Sequence, residues 1–176
     1  MKKIYLIRDA KAEDFSQGIS DFERELKKRG QKDIVTIGSY MALRGISIDS
    51  MLSSCALRAQ QTAVALGERL SFSGEQHFLN ELYYGSNDAV MEILQAQDDS
   101  NESLCIIGHN PQLNELINRL TQEYISKIPS MGVVALSFDI ESWSELESVL
   151  GKVEFFIYPK QFKYYMPKQI QATLLR

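Results

Sequence analysis

Two short runs of residues, 4–7 and 104–107, constrain the fold of this chain more than any other feature of its sequence. Each run has four largely apolar residues without a charged interruption, and each ends close to polar residues. Runs of this kind are typical of strands that are buried on both faces, as in a parallel sheet covered by helices. We therefore predict two central strands, with Arg8 and His109 following their carboxyl ends.

A capping-box pattern marks the start of the first predicted helix. Ser20 is followed three residues later by Glu23, the spacing at which the two residues satisfy each other's backbone amides. Apolar residues then recur at helical spacing as far as Arg44, and Gly45 is a suitable terminator. We therefore predict one long helix that opens at Ser20 and closes at Arg44.

The remaining segments alternate between strand and helix patterns. After a second strand at 48–52, Ser53 and Ser54 are predicted caps of a helix to about residue 70. Further along we predict a strand at 75–79, a helix at 89–96, a helix from Asn110 to about Thr121, and a closing hairpin of strands at 133–138 and 153–158. Residues 160–176 receive no prediction. The alternation indicates one domain, residues 1–176, with a three-layer α/β/α fold and a mostly parallel sheet.

Composition and charge narrow the functional classes. The chain has 176 residues and a net charge of −4, which argues against broad nucleic-acid binding. No window approaches the length of a membrane span, and the amino terminus lacks the pattern of a signal peptide. We expect a cytoplasmic protein in which Cys55 and Cys105 are buried free thiols.

Three side chains are predicted to form a small anion site. Arg8 and His109 follow the two central strands, and Arg58 lies in the first turn of the helix after the second strand. Guanidinium groups bind phosphate through paired, charge-assisted hydrogen bonds. The helix that starts at Asn110 and Pro111 adds free backbone amides and a favourable dipole.

The chain resembles the histidine phosphatase superfamily, and most closely its small bacterial phosphohistidine phosphatases of the SixA type. The resemblance covers most of the chain and rests on a series of segments in order. They are Leu6-Ile7-Arg8-x-Ala10-Lys11-Ala12, Arg24-x-Leu26-x-x-Arg29-Gly30, Ser53-Ser54-x-x-Leu57-Arg58-Ala59-x-x-Thr62-Ala63, Glu81-Leu82-Tyr83, Ile107-Gly108-His109-Asn110-Pro111 and Pro129 before the strand near Val133.

The resemblance implies a phosphoglycerate-mutase-like fold and a phosphatase that needs no metal or cofactor. Arg8 and Arg58 would bind the phosphoryl oxygens, with Asn110 beside them, and His109 would donate to the charge of the transition state. Glu81 matches a segment in which some relatives keep a general acid. The implied substrate is phosphohistidine on a protein, and a small phosphate ester is the alternative. Phosphate or sulfate would occupy the same pocket.

Asp9 departs from this pattern, because the resemblance places the nucleophilic histidine there. Three interpretations remain open. Asp9 could attack phosphorus itself and form an acyl phosphate. The chain could be a natural pseudo-phosphatase that binds a phosphorylated or acidic ligand without turnover. Alternatively, Asp9 could be an engineered replacement of histidine. In each case we expect hydrolysis by this chain to be impaired, since a carboxylate is shorter than imidazole and carries charge into a phosphate pocket.

Overall fold

The structure, a computed structural model, describes residues 1–165. Six strands form one sheet: β1 (Lys2–Arg8), β2 (Ser50–Ser54), β3 (Gln76–Leu79), β4 (Ser103–Gly108), β5 (Val133–Phe138) and β6 (Lys152–Ile157). Their order across the sheet is β3-β2-β4-β1-β5-β6. The pairings among β1 to β4 are parallel, whereas β5 is antiparallel to both β1 and β6. The predicted α/β fold with a mostly parallel sheet is confirmed.

Helices cover both faces of this sheet. They are α1 (Lys28–Leu43), α2 (Leu57–Arg69), α3 (Glu81–Tyr84), α4 (Asn87–Gln95), α5 (Gln112–Leu120) and α6 (Pro159–Tyr165). One hydrophobic cluster unites the sheet with α1 and α2, through side chains such as Ile34, Ile37 and Leu66. A second cluster unites the other face with α4 and α5, through side chains such as Leu94 and Leu116. Of the segment 160–176, the structure describes the part up to residue 165.

The parallel pairing of β1 with β4 places the carboxyl ends of both strands at the same edge of the sheet. Arg8 of β1 lies opposite Gly108 of β4. The residues that follow, Asp9 and His109, therefore leave the sheet at the same level although a hundred positions separate them. Strand β2 lies on the other side of β4, so its carboxyl end reaches the same edge.

The predicted start of the first helix is wrong. The Glu23 carboxylate does accept from the Ser20 amide, at 3.2 Å, but this box opens a 3-10 turn over Asp21–Glu23. The chain then runs extended beside the segment after β1, with Ala12 and Leu26 forming an antiparallel bridge. Helix α1 begins at Lys28 because backbone pairing with residues 11–13 holds residues 25–27 out of the helix.

Two other predicted boundaries are displaced. Ser53 and Ser54 are the last residues of β2 and do not cap a helix, since the pairing of β2 with β3 continues to Ser54. The residue before α2 is Ala56. Asn110 does not cap α5, because its side chain binds the backbone of Ile128. Helix α3 was not predicted, as four residues are too few for a periodic pattern.

Both cysteines are buried and free, as predicted. Cys105 lies inside β4, and burial raises the pKa of its thiol to about 12. In residues 1–165, no helix combines the length and apolar character needed to cross a membrane.

Candidate anion-binding site

Asp9, Arg58 and His109 meet at the carboxyl edge of the sheet. The Asp9 carboxylate lies between the two basic side chains, with Oδ2 2.8 Å from Nε of Arg58 and Oδ1 3.0 Å from Nδ1 of His109. Asp9 is 6% exposed and Arg58 8% exposed. The register of β1 and β4 thus positions Asp9 and His109, and the start of α2 positions Arg58.

Ser54 fixes the other side of the His109 ring. Its hydroxyl lies 2.7 Å from Nε2 of His109 and also accepts from the backbone amide of Ala56, at 3.2 Å. A single neutral tautomer satisfies every group: Nδ1 donates to Asp9, Ser54 donates to Nε2, and Ala56 donates to Ser54. Both ring nitrogens are therefore engaged within the protein.

The order Ser54, His109, Asp9 is also that of a serine-hydrolase triad. Ser54, however, has no exposed surface, being the last residue of a strand buried along its whole length. A nucleophile must reach the reacting atom, and Ser54 cannot do so here. We assign Ser54 the role of orienting the His109 ring.

Asp21 holds the outer side of Arg58. Its backbone carbonyl accepts from NH1 of Arg58 at 2.8 Å, and its Oδ2 lies 3.3 Å from NH2. The Asp21 Oδ1 accepts from Nε and NH2 of Arg24, at 3.0 and 2.6 Å. Partial burial alone would raise the pKa of Asp21. Hydrogen bonds from Tyr83 and Arg24 and the charges of both arginines instead lower it to about 2.

Tyr83 connects Asp21 to His109. Its hydroxyl donates to Oδ2 of Asp21 at 2.7 Å, and its ring meets the His109 ring edge-on at 5.7 Å. Burial and the Asp21 carboxylate raise the pKa of Tyr83 above its usual 10.0, which keeps the hydroxyl a donor. Gln112 supports this arrangement, since its side chain donates to the backbone carbonyls of Glu81 and Gly85 at the two ends of the turn.

Arg8 ends β1 and Asn110 follows β4, and both side chains bind the backbone carbonyl of Ile128. The Arg8 guanidinium donates to the carbonyl of Ile128 at 2.9 Å, and the Asn110 amide donates to the same oxygen at 2.8 Å. Within residues 1–165, no hydrogen bond links the Arg8 side chain to Asp9 or His109. Arg8 therefore reaches the predicted edge of the sheet but is bound to the loop before β5.

Glu81 opens helix α3, two residues before Tyr83. In the described part of the chain its carboxylate makes no hydrogen bond or ion pair. Its predicted role as an acid remains a prediction. No group of three histidine, cysteine, aspartate or glutamate side chains within residues 1–165 is placed to hold a metal ion.

Sequence reasoning assigned no role in the site to Ser54, Asp21 or Tyr83. Asp21 lies within the capping box, which indicated only a helix start. Tyr83 and Ser54 fall in segments that carry the family resemblance, and this was the one available signal. Arg58 has five N–H groups, of which three bind Asp9 and Asp21. Within residues 1–165 the other two have no protein partner and could donate to an incoming anion.

Comparison with known proteins confirms the predicted fold. No family model matches the chain. The protein histidine phosphatase SixA, solved in complex with tungstate, superposes with a TM-score of 0.79 and 22% identity over 91% of this chain and 99% of that one. The SixA protein of Agrobacterium tumefaciens gives a TM-score of 0.77 and 24% identity over 90% and 98% of the two chains.

A curated relative has no assigned activity. An uncharacterized protein of Mycobacterium leprae is 24% identical over 155 residues, which span 83% of this chain and 93% of its own. The likeness to the two solved structures extends over at least 90% of each chain. The fold is therefore that of SixA-type phosphohistidine phosphatases.

Proposed function

We propose that this chain is a phosphohistidine phosphatase by descent, which binds the phosphoryl group of a phosphorylated protein and hydrolyses it poorly. The observation that carries the proposal is the contact of Asp9 with both Arg58 and His109 at the carboxyl edge of the sheet. That edge is where open α/β sheets bind their ligands. The fold, and the tungstate held by one structural neighbour, support an oxyanion ligand.

Arg58 and His109 supply the recognition. Two N–H groups of Arg58 have no partner in the described part of the chain and can form hydrogen bonds to phosphoryl oxygens. His109, with its orientation fixed by Ser54, can donate from Nδ1 to the developing charge once that nitrogen is released from Asp9. Arg8 precedes Asp9 in the chain, and its guanidinium would have to leave the Ile128 carbonyl to join them.

Asp9 impairs the chemistry in two ways. Its carboxylate already neutralises Arg58, so a phosphoryl dianion meets a negative charge where a histidine would be neutral. Both carboxylate oxygens are also engaged by protein donors, at 2.8 and 3.0 Å. Attack by Asp9 on phosphorus would have to break these contacts first, which disfavours an acyl-phosphate route.

The test is restoration of the histidine. Asp9→His should gain turnover of phosphohistidine on a protein. The imidazole nitrogen would bond to phosphorus as the substrate P–N bond breaks, the leaving imidazole would take a proton, and water would then release phosphate. Asp9→Asn, which has the shape of the native residue without its charge, is the matched control and should stay inactive.

Two results would contradict the proposal. A native chain as active as Asp9→His would mean that Asp9 serves catalysis. An Asp9→His variant that acts on p-nitrophenyl phosphate but on no phosphorylated histidine would favour a phosphatase of small esters, the second candidate. A histidine codon at position 9 of the genomic sequence would exclude a natural pseudo-phosphatase, whereas an aspartate codon would leave the turnover measurements to decide.

A further inference from the structure

A second cavity lies at the edge of the sheet opposite to the anion site. Its volume is about 590 Å³, within the range of cavities that hold small organic ligands. We call it the amino-edge cavity, because it opens beside the amino ends of β1 and β4. Strands β5 and β6 and the segment between α1 and β2 complete its walls. The lining residues that matter below are Lys3, Tyr5, Arg44, Ile46, Asp49 and Phe155.

Tyr5 presents a buried hydroxyl to this cavity. The residue is 5% exposed, and its ring centre lies 6.4 Å from that of Phe155. Within residues 1–165 its hydroxyl makes no hydrogen bond to the protein. Burial raises the pKa of the hydroxyl above its usual 10.0, against a smaller opposite effect of the nearby Arg44 charge, so the group stays protonated. Buried polar groups are nearly always hydrogen-bonded, so this donor indicates a partner from outside the protein.

Arg44 brings a cation to the same cavity. Its NH1 donates to the Tyr40 hydroxyl at 2.5 Å, and its guanidinium lies 5.5 Å from the centres of the Tyr40 and Phe155 rings. These contacts orient the guanidinium, but no carboxylate in the described part of the chain forms an ion pair with it. The same holds for Lys3 among those residues. Two positive charges therefore line the cavity without a negative partner there.

Two of the three acidic side chains in the cavity wall are already engaged. Asp49 Oδ2 accepts from the backbone amides of Glu102 and Ser103, at 2.8 and 2.9 Å. The Glu154 carboxylate accepts from the Ser137 hydroxyl at 2.5 Å. The third, Glu102, is exposed to solvent, where its charge is screened. The balance of unengaged groups favours an anionic ligand.

We propose that the amino-edge cavity binds a small organic acid. Its carboxylate would lie between Tyr5 and Arg44, because a guanidinium binds a carboxylate through charge-assisted hydrogen bonds and the hydroxyl adds a further donor. Its apolar body would pack on Ile46 and Phe155, which are only half-buried by the protein. This site is separate from the one at Asp9 and does not depend on the proposed function.

The test uses phenylacetate, with phenylacetamide as the matched ligand control, since the two differ in charge and little in shape. Each is titrated into the full chain while the backbone amide signals are followed by NMR. Phenylacetate should shift the signals of Tyr5, Gly45 and Phe155, with a dissociation constant of about 1 mM or tighter, as is ordinary for a ligand of this size. The signal of His109 should not move. Phenylacetamide should bind at least about tenfold more weakly, because it has no charge for Arg44.

Two variants locate the carboxylate. Tyr5→Phe keeps the ring and should weaken phenylacetate binding about threefold to tenfold, the effect of one hydrogen bond. It should not destabilise the fold, since the hydroxyl has no partner in residues 1–165. Arg44→Gln should weaken binding at least about tenfold. The matched controls are Tyr124→Phe, at an 82% exposed position, and Arg119→Gln, which should both bind phenylacetate as the native chain does.

Four results would overturn the proposal. They are no shift on addition of phenylacetate well above that concentration, equal affinity for phenylacetamide, unchanged affinity in either Tyr5→Phe or Arg44→Gln, and shifts centred on His109. The last would place the ligand in the anion site. Inorganic phosphate is a further probe. If it shifted the Tyr5 and Gly45 signals with the affinity of phenylacetate, the apolar walls would contribute nothing, and the assignment to an organic acid would be wrong.

Discussion

The carboxylate of Asp9 and the guanidinium of Arg58 form a buried ion pair, with 2.8 Å between Oδ2 and Nε. The same guanidinium binds Asp21, so one arginine serves two carboxylates. A site that would bind a phosphoryl dianion is therefore already occupied by acidic groups of its own chain. Removal of the Asp9 charge should therefore lower stability and strengthen anion binding.

Asp9→Asn should lower stability and strengthen anion binding. The change leaves Arg58 with one charged partner fewer, and we expect the free energy of unfolding to fall by about 1–3 kcal/mol. An added anion replaces the missing charge, so tungstate should stabilise the variant more than the native chain. Urea unfolding with and without tungstate measures both effects. Equal responses of the two proteins to tungstate would contradict the role given to Asp9.

Arg58 should be required for anion binding. Because removal of Arg58 alone would strand Asp9, the test uses Asp9→Asn with Arg58→Ala, compared with Asp9→Asn with Arg119→Ala. Arg119 is a surface residue paired with Asp88 and Glu147. Calorimetry should show tungstate binding lost in the first variant and retained in the second. Retention in both would mean that the anion binds elsewhere.

Asp21 should make stability depend on pH in the acid range. Its folded pKa of about 2 lies below its usual 3.8, so it stabilises the fold above 3.8, and this contribution is lost as the pH falls through about 2. Urea unfolding of the native chain and Asp21→Asn between about pH 2 and 6 should give a difference that shrinks towards the acid end. A difference independent of pH would contradict the assignment.

Ser54 should orient His109 without acting as a nucleophile. A fluorophosphonate probe, which labels reactive serines, should not modify the native chain. Ser54→Ala should lower the free energy of unfolding by about 1–3 kcal/mol, because Nε2 of His109 and the Ala56 amide both lose a buried partner. Ser126→Ala, at an exposed position, should change stability little. Labelling that disappears in Ser54→Ala would instead establish a hydrolase triad.

The central strands were predictable because their signal is local and redundant. The runs at 4–7 and 104–107 are apolar on both faces, so one pattern specified both their type and their burial. Parallel neighbours then bring strand ends to one edge, and for that reason the sequence predicted Arg8, Arg58 and His109 there. In the structure it is Asp9 that contacts Arg58 and His109. Arg8 was placed at the right edge, but the Ile128 carbonyl that binds its side chain lies 120 positions away and leaves no local sign.

The first helix shows why local signals fail. The capping box of Ser20 and Glu23 forms, yet it precedes only a single 3-10 turn. The helix does not continue because residues 25–27 pair with residues 11–13. The role of Asp21 depends on where that turn comes to lie against Arg58, a tertiary contact between positions 37 apart. The sequence of the turn gives no sign of this contact.

The pairing of Arg8 with Gly108 in the sheet makes the positions of the site residues independent of their side-chain chemistry. Backbone hydrogen bonds along β1 and β4 set the positions of residues 9 and 109, whatever side chains they carry. The residue at position 9 can therefore be exchanged while the framework that presents it stays in place. A sheet edge of this kind would let a lineage of proteins lose a reaction in a single step while the backbone around it stays unchanged.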